Sequence, residues 1–183
     1  KFSINIVNFS RHHYSIFVRL RKAFSESFYV MGMAEYSAAF DCKDALHKAI
    51  DCYEMMLSIY NNPDTDPFKI TPKSYSEVRN ERSAAVPMVM LSCAQVLRRC
   101  CPEKADYYTG IVKKIVADML KYHYHPELSA VLETVLEDGS LVDNPAGRTI
   151  NPGHSCENAW FLMNAAVYEK DSELIKIALD IFD

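Results

Sequence analysis

The feature that most constrains this chain is an alternation between two kinds of helical segment. Segments of the first kind are apolar on nearly every side, and segments of the second kind carry one apolar stripe at helical spacing. The first kind comprises 26–40, 84–97 and 159–167, and the second comprises 43–60, 105–123 and 172–182. A helix that is apolar all round is buried all round, whereas a one-stripe helix lies on a surface. The chain is therefore predicted to be mostly α-helical, with three helix pairs in two layers, as in an α/α toroid or an arc of one.

The connections between these segments indicate where function lies. Links within a pair are short, whereas the links between pairs, 61–82 and 124–151, are long. Both long links run from an outer helix to the next inner helix, so they lie at the end that holds the N-termini of the inner helices. Long loops on a rigid scaffold commonly carry function.

Small β-hairpins are predicted at this face. Residues 130–142 contain strand-forming residues around an Asp138-Gly139 turn, which is a hairpin signal. The segments 2–8 and 14–20 are predicted to pair in the same way.

Composition excludes several other classes of protein. Of the 183 residues, 49% are hydrophobic and 24% are charged, which excludes disordered and fibrous proteins. The formal net charge of −4 gives no reason to expect nucleic acid as a partner, and no apolar run is long enough to cross a membrane. Six cysteines without a CxxC spacing favour reduced, buried thiols in a cytoplasmic protein. The sequence has no P-loop, GxGxxG or GxSxG motif.

The segment 147–161 carries the strongest candidate for chemistry. Asn151 is a good helix N-cap and Pro152 fits the first helical position, so His154 falls in the first turn. Unpaired N–H groups and the helix dipole make that end positive, which disfavours an imidazolium. We therefore expect His154 to stay neutral near pH 7, as a general base requires.

Two further residues are predicted on the helix face of His154. Glu157 follows three residues later, where a carboxylate could orient the ring or bind a substrate hydroxyl. Trp160 follows after three more, and an aromatic wall beside a histidine and a carboxylate suits the C–H face of a sugar. The alternative is equally open: His154 only caps its helix, and Trp160 belongs to the core.

Other polar residues are weaker candidates. Glu26 opens the first inner helix and Glu81 precedes the second, so both are expected at the end that holds His154; the alternative is that they only complement the helix dipole. His123 and His125 form an H-x-H pair without recognisable further ligands, so we interpret them as a surface pair and predict no metal site.

Three ordered blocks resemble a known family. FSESFYVMGMAEY at 24–36 is similar to the family's Phe-Ser-Glu block, and RSAAVPMVML at 82–91 is similar to its Ala-Val-Pro-Met block. The most specific match joins VLETVLEDG at 131–139 to GRTINPGHSCENAWFL at 147–162. On these blocks the chain resembles the N-acylglucosamine 2-epimerases, whose mammalian members are also called renin-binding protein.

The resemblance implies an (α/α)6 barrel, of which this chain holds about half. It implies an isomerase of amino-sugar metabolism that inverts C2 of N-acetylglucosamine to give N-acetylmannosamine, a sugar of the sialic acid pathway. Two histidines would remove and return the C2 proton; His154 matches one of them, and Glu157 matches the carboxylate beside it. The substrate-binding residues that we expect are Arg148, Asn151, Trp160, Glu26 and Glu81.

The resemblance also implies that the chain is one incomplete domain. Residues 23–183 match the helical core of the family, and 1–22 match poorly. The second histidine is expected beyond Asp183, and an arginine that contacts the sugar is expected before residue 1. Activity is therefore expected of the longer parent protein, and the open edges of the half barrel should expose apolar surface.

Cofactor and partner expectations rest on the same resemblance. It implies that no cofactor is required and that ATP acts as an allosteric activator. It implies an amino-sugar substrate, a homodimer and renin as binding partners.

Two other functions stay open. Related aldose–ketose isomerases typically carry a histidine in the Ala-Val-Pro-Met helix, where this chain has Val86, Pro87 and Met88. That difference favours the N-acyl sugar branch. The other alternative is a non-catalytic helical protein that binds a partner through an exposed apolar face.

Overall fold

The computed structural model describes residues 24–62, 65, 81–145 and 147–183, and six helices in them form three successive pairs. The pairs are α1 (Phe24–Phe40) with α2 (Lys43–Asn61), α3 (Ala85–Cys100) with α4 (Ala105–Tyr122), and α5 (Pro152–Glu169) with α6 (Ser172–Phe182). These bounds lie close to the predicted segments, and α5 begins where its N-cap signal predicts.

Short turns close each pair. At the end of α5, Lys170 takes a left-handed backbone conformation with φ 58°. The side chain of Asp171 then caps α6 by accepting two backbone N–H groups at 3.0 Å. Because the turn reverses the chain, the helices of a pair pack antiparallel.

Helices α1 and α3 run parallel to each other. Near the start of α1, the Cys93 thiol of α3 donates to the carbonyl oxygen of Ser27 at 3.5 Å. Further along both helices, Arg99 forms an ion pair with Glu35. Residue numbers rise together along this interface, as they do only between parallel helices.

Helices α3 and α5 are parallel by the same criterion. The side-chain amide of Gln95 donates to the carbonyl oxygen of Phe161 at 2.8 Å. Further along, the Arg98 guanidinium lies 3.5 Å from the centre of the Tyr168 ring. The three inner helices α1, α3 and α5 therefore point their N-termini toward one end, as predicted.

Burial confirms the two layers. Every residue of α3 from 87 to 94 is buried, and the core is built around this helix. In contrast, α4 buries a single stripe, which consists of Tyr108, Val112, Ile115, Val116 and Met119. An all-α fold of inner and outer helices, as in part of an α/α toroid, is thus confirmed.

Burial on every side was predicted for α1 and α5 as well, and this is wrong. Phe28 and Phe40 of α1 are 70% and 69% exposed, and Trp160 and Val167 of α5 are 61% and 63% exposed. The reason is position, because α3 lies between two inner helices, whereas α1 and α5 each pack against one inner helix within the described chain.

Short strands lie at the N-terminal end of the inner helices. β1 (Glu81–Ser83) pairs antiparallel with β4 (Thr134–Leu136), and β2 (Tyr124–His125) pairs antiparallel with β3 (Ala130–Val131). The predicted turn at Asp138-Gly139 is present, but the strand that returns from it makes only one bridge, between Val135 and Leu141. The main partner of β4 is instead β1, which comes from the preceding long link.

The predicted strands 2–8 and 14–20 lie outside the described residues. Among the helices of the described ranges, none combines the length and the apolar character needed to cross a bilayer. These ranges also contain no cluster of three or more His, Cys, Asp or Glu side chains suited to hold a metal ion.

Candidate active site

The N-terminus of α5 is built as its sequence predicts. The side-chain oxygen of Asn151 accepts hydrogen bonds from the backbone N–H groups of Gly153, at 3.0 Å, and His154, at 3.4 Å. Pro152 occupies the first helical position, where a missing N–H costs nothing. The cap therefore fixes His154 in the first turn, and the side-chain oxygen of Asn151 serves that cap.

A carboxylate from another part of the chain holds the ring of His154. The Nδ1 atom lies 2.9 Å and 3.0 Å from the two carboxylate oxygens of Glu133. Because a carboxylate only accepts hydrogen bonds, Nδ1 must donate. The remaining ring nitrogen, Nε2, then carries the lone pair of the neutral ring and lies on the edge away from Glu133.

Glu133 is positioned by backbone contacts. Its carbonyl oxygen accepts the N–H of Ala84 at 3.0 Å, immediately before α3 begins. The next residue, Thr134, pairs with Ser83 in the register of β1 and β4. Glu133 thus contacts the N-termini of both α3, through its backbone, and α5, through its side chain.

The exposed face of α5 carries two other predicted site residues. Glu157 is exposed, and Trp160 is 61% exposed with its ring 5.0 Å from that of Phe161. The alternative that Trp160 belongs to the core is therefore wrong. The idea that Glu157 orients His154 is replaced in this structure by the contact with Glu133.

Arg148 lies in the loop that leads into α5. Its guanidinium forms an ion pair with Asp143 at 2.5 Å, and both side chains are exposed. Gly147, just before it, is buried and donates its N–H to the side chain of Asn144 at 2.9 Å. The structure therefore places Arg148 beside the start of α5, with Asp143 as its partner.

Among the described residues, neither Glu26 nor Glu81 forms a hydrogen bond or ion pair with the His154 side chain, whose partner is Glu133. Glu81 is exposed at the start of β1, opposite Leu136. Glu26 is only 1% exposed, and neither of its carboxylate oxygens has a hydrogen-bond partner among the described residues. Burial raises the pKa of Glu26, and it also raises the pKa of Cys52 on α2, to which the Glu26 carboxylate adds a smaller contribution. Its carboxyl group therefore lies close to the α1–α2 interface.

The interpretation of His123 and His125 as a surface pair is wrong for His123. That side chain is 3% exposed, and its Nδ1 donates to the carbonyl oxygen of Leu132 at 3.1 Å. Burial lowers the pKa of His123. The pairing of β2 with β3 brings His123 inward, next to the segment that carries Glu133.

Glu133 is the residue that sequence reasoning missed. It lies within the block VLETVLEDG, but no helical or strand spacing relates it to a histidine 21 positions away. The block itself was the only available signal, since it precedes the NPGH motif in the pattern described above.

Comparison with known proteins agrees with this pattern. Residues 11–183 match the family model for N-acylglucosamine 2-epimerase, which reaches further toward the N-terminus than the blocks do. Proteins named N-acylglucosamine 2-epimerase from Rattus norvegicus, Bos taurus and Homo sapiens are 31%, 32% and 30% identical over 162, 165 and 162 residues. Each alignment covers 88% of this chain but only 37–38% of the relative. The chain thus spans well under half the length of these relatives, and over that span it belongs to the N-acylglucosamine 2-epimerase family.

Proposed function

We infer that the protein is a sugar 2-epimerase that interconverts N-acetylglucosamine and N-acetylmannosamine. The family match and the names of the relatives support the reaction class. The observation that carries the proposal is the geometry of His154, whose Nδ1 is held by Glu133 while Nε2 has no hydrogen-bond partner among the described residues. A histidine held in this way can take up a proton at Nε2.

The reaction needs a base that can also act as an acid. In the open-chain sugar, the C2–H bond lies next to the C1 aldehyde. When His154 Nε2 takes the C2 proton, the C2–H electron pair moves into the C1–C2 bond and the carbonyl pair moves to O1. Return of a proton to the opposite face of C2 gives the epimer. Protonation of C2 from that opposite face requires a second acid, on the other side of the sugar from His154.

The surroundings of His154 suit a sugar. Trp160 offers an exposed aromatic face on α5, and Glu157 offers an exposed carboxylate that can accept hydroxyl hydrogen bonds. Arg148 can reach a sugar oxygen if it leaves Asp143, to which it is bound on the protein surface. These residues would hold the substrate, while His154 does the chemistry.

Proton exchange at C2 tests the proposal. In D2O, the intact protein should incorporate deuterium at C2 of N-acetylglucosamine or N-acetylmannosamine during turnover, measured by NMR or mass spectrometry. His154→Ala should lower kcat by roughly 10²–10⁴-fold, the range for a general acid or base. KM should change far less, since the sugar contacts remain.

A matched histidine variant controls for the substitution itself. His47 is exposed on the outer helix α2, so His47→Ala should leave exchange unchanged. If neither sugar exchanges its C2 proton, or if His154→Ala behaves like His47→Ala, the epimerase proposal fails.

One observation favours a second function, that of a partner-binding helical protein. Aromatic side chains on α1 are largely exposed, namely Phe28, Tyr36 and Phe40. Large exposed apolar groups commonly mark interaction surfaces. The absence of C2 exchange, together with stoichiometric binding of a protein partner that Phe28→Ser abolishes, would support this function instead. Binding of renin, formation of a homodimer and activation by ATP stay predictions.

A further inference from the structure

We propose that Glu133 is a positioning residue for the reaction: it fixes the tautomer and the orientation of His154 from outside the helix that carries the histidine. The proposal rests on the epimerase function above. Glu133 would not touch the sugar; it acts through Nδ1 of His154, which both of its carboxylate oxygens approach within hydrogen-bond distance.

The first argument is that Glu133 is itself held in place. Its own carbonyl oxygen is bound by the N–H of Ala84 at 3.0 Å. On its other side, the N–H of Leu132 donates to the carbonyl oxygen of His123 at 2.9 Å. The Glu133 side chain is 19% exposed. A carboxylate on such a fixed backbone can orient a ring, whereas a mobile surface carboxylate could not.

The second argument is chemical. A neutral imidazole carries one N–H, and the nitrogen that is hydrogen-bonded to a carboxylate is the one that keeps it. Glu133 therefore selects the tautomer with hydrogen on Nδ1, which leaves Nε2 as the base. When the ring gains a second proton from the substrate, the carboxylate stabilises the positive charge that forms. This opposes the field of the α5 N-terminus, which disfavours that charge.

The third argument separates this role from helix capping. The first free N–H groups of α5 are satisfied by Asn151, through Gly153 and His154. The Glu133 carboxylate contacts the ring nitrogen instead. Removal of the carboxylate should therefore release the ring without removing the cap.

The test compares two substitutions in the intact protein. Glu133→Ala removes the acceptor, whereas Glu133→Gln keeps an oxygen that can accept from Nδ1 but carries no charge. The first measurement is the tautomer of the neutral His154 ring by ¹⁵N NMR. The second is kcat and KM for C2 exchange with N-acetylglucosamine.

We expect the unsubstituted protein to carry hydrogen on Nδ1 of the neutral ring. Glu133→Ala should lose this preference and lower kcat by roughly 10- to 100-fold, the range found when the partner of an oriented metal-binding histidine is removed. KM should stay nearly constant. Glu133→Gln should keep the tautomer and lose less activity than Glu133→Ala.

A matched pair elsewhere in the fold provides the control. Glu127 contacts Nδ1 of His125 at 3.0 Å in the same chemical arrangement, on an exposed part of the surface. Glu127→Gln should change neither the His154 tautomer nor kcat. If the loss of any carboxylate beside a histidine slowed the reaction, Glu127→Gln would lower kcat as Glu133→Gln does.

Two results would overturn the proposal. One is hydrogen on Nε2 of the neutral His154 ring in the unsubstituted protein, which needs no variant to fold. The other is a folded Glu133→Ala variant with unchanged kcat. Failure of the epimerase function is separate, because it shows as an absence of C2 exchange in the unsubstituted protein whatever the tautomer.

Discussion

One charged contact at each end of the inner helices invites comparison, and the two contacts are opposite in charge. At the N-terminal end, the carboxylate of Glu133 lies against His154 in the first turn of α5. At the C-terminal end, the Arg98 guanidinium of α3 lies over the ring of Tyr168. Acidic groups near helix N-termini and basic groups near C-termini both complement the helix dipoles. On charge alone, the two ends are equally well explained as stabilising features.

The ends differ in what they leave accessible. The His154 side chain is 34% exposed and keeps one ring nitrogen away from Glu133. Arg98 is 7% exposed, and burial lowers the pKa of its guanidinium. An accessible nitrogen can exchange a proton with a substrate, whereas a covered cation can only pack and pair. The comparison therefore predicts that substitutions at the first end change activity, whereas those at the second end change stability alone.

The largest loss of stability is expected from Gly147→Ala, in the loop that leads into α5. A Cβ atom there would lie 2.1 Å from the carbonyl oxygen of Val142 and 2.5 Å from its Cβ. Because the nearest atom belongs to the backbone, the loop must move, and we expect a loss of about 3 kcal/mol in the free energy of unfolding. Slower C2 exchange should accompany this loss. Chemical denaturation and deuterium incorporation measure the two effects.

Gly110→Ala is the matched control for this prediction. Nothing lies within 4 Å of a Cβ atom at Gly110, which is inside α4. Alanine favours the helix over glycine by about 0.8–1 kcal/mol, so the variant should be slightly more stable and equally active. Equal stability of the two alanine variants would contradict the close packing of Gly147 against Val142.

A smaller effect is expected from Arg98→Ala at the opposite end. The variant loses a buried contact between a cation and the Tyr168 ring, together with the packing of the aliphatic stem. We expect the free energy of unfolding to fall by about 2 kcal/mol while C2 exchange stays unchanged. Arg99→Ala breaks only an exposed ion pair with Glu35 and should cost less than about 1 kcal/mol. A folded Arg98→Ala variant of unchanged stability but slow exchange would reverse the assignment of the two ends.

The smallest loss or gain of stability is expected at Glu26, and it tests whether this residue serves only the buried core or also the substrate site. Burial raises its pKa in the folded state, so the unfolded chain releases this proton at a lower pH than the folded protein does. The folded protein therefore loses stability as the pH rises above the ordinary value of 4.5 and until the raised pKa is passed. Glu26→Gln should remove this loss and be more stable than the unsubstituted protein at neutral pH, with little advantage at pH 4. Denaturation at several pH values measures the difference.

The kinetics of Glu26→Gln test the other role, in which Glu26 contacts the sugar. If Glu26 contacts the sugar, as the resemblance implies, Glu26→Gln should raise KM. Gln95→Ala is a useful comparison, because Gln95 also lies on an inner helix but bonds to the backbone of Phe161. A raised KM for Glu26→Gln alone would assign Glu26 to the substrate site.

Local sequence patterns were sufficient for the helices and for the start of α5. The helical segments and the cap at Asn151 depend on residues within four positions of one another, so the spacing of apolar and capping residues reports them directly. The family could also be recognised, because its blocks are contiguous in the chain and occur in order.

Only the tertiary structure decided which side chains meet. Glu133 reaches His154 because β4 pairs with β1, whose residues lie in a different inter-helix link, and no local period connects these segments. In the same way, β2 and β3 turn His123 inward, and the position of α3 between two neighbours buries it more fully than α1 or α5. Side chains far apart in sequence come together through strand register and helix packing, and neither is encoded in the periodicity of a single segment. The sequence by itself therefore determined the elements and the candidate base, whereas the carboxylate that orients this base depends on the assembled fold.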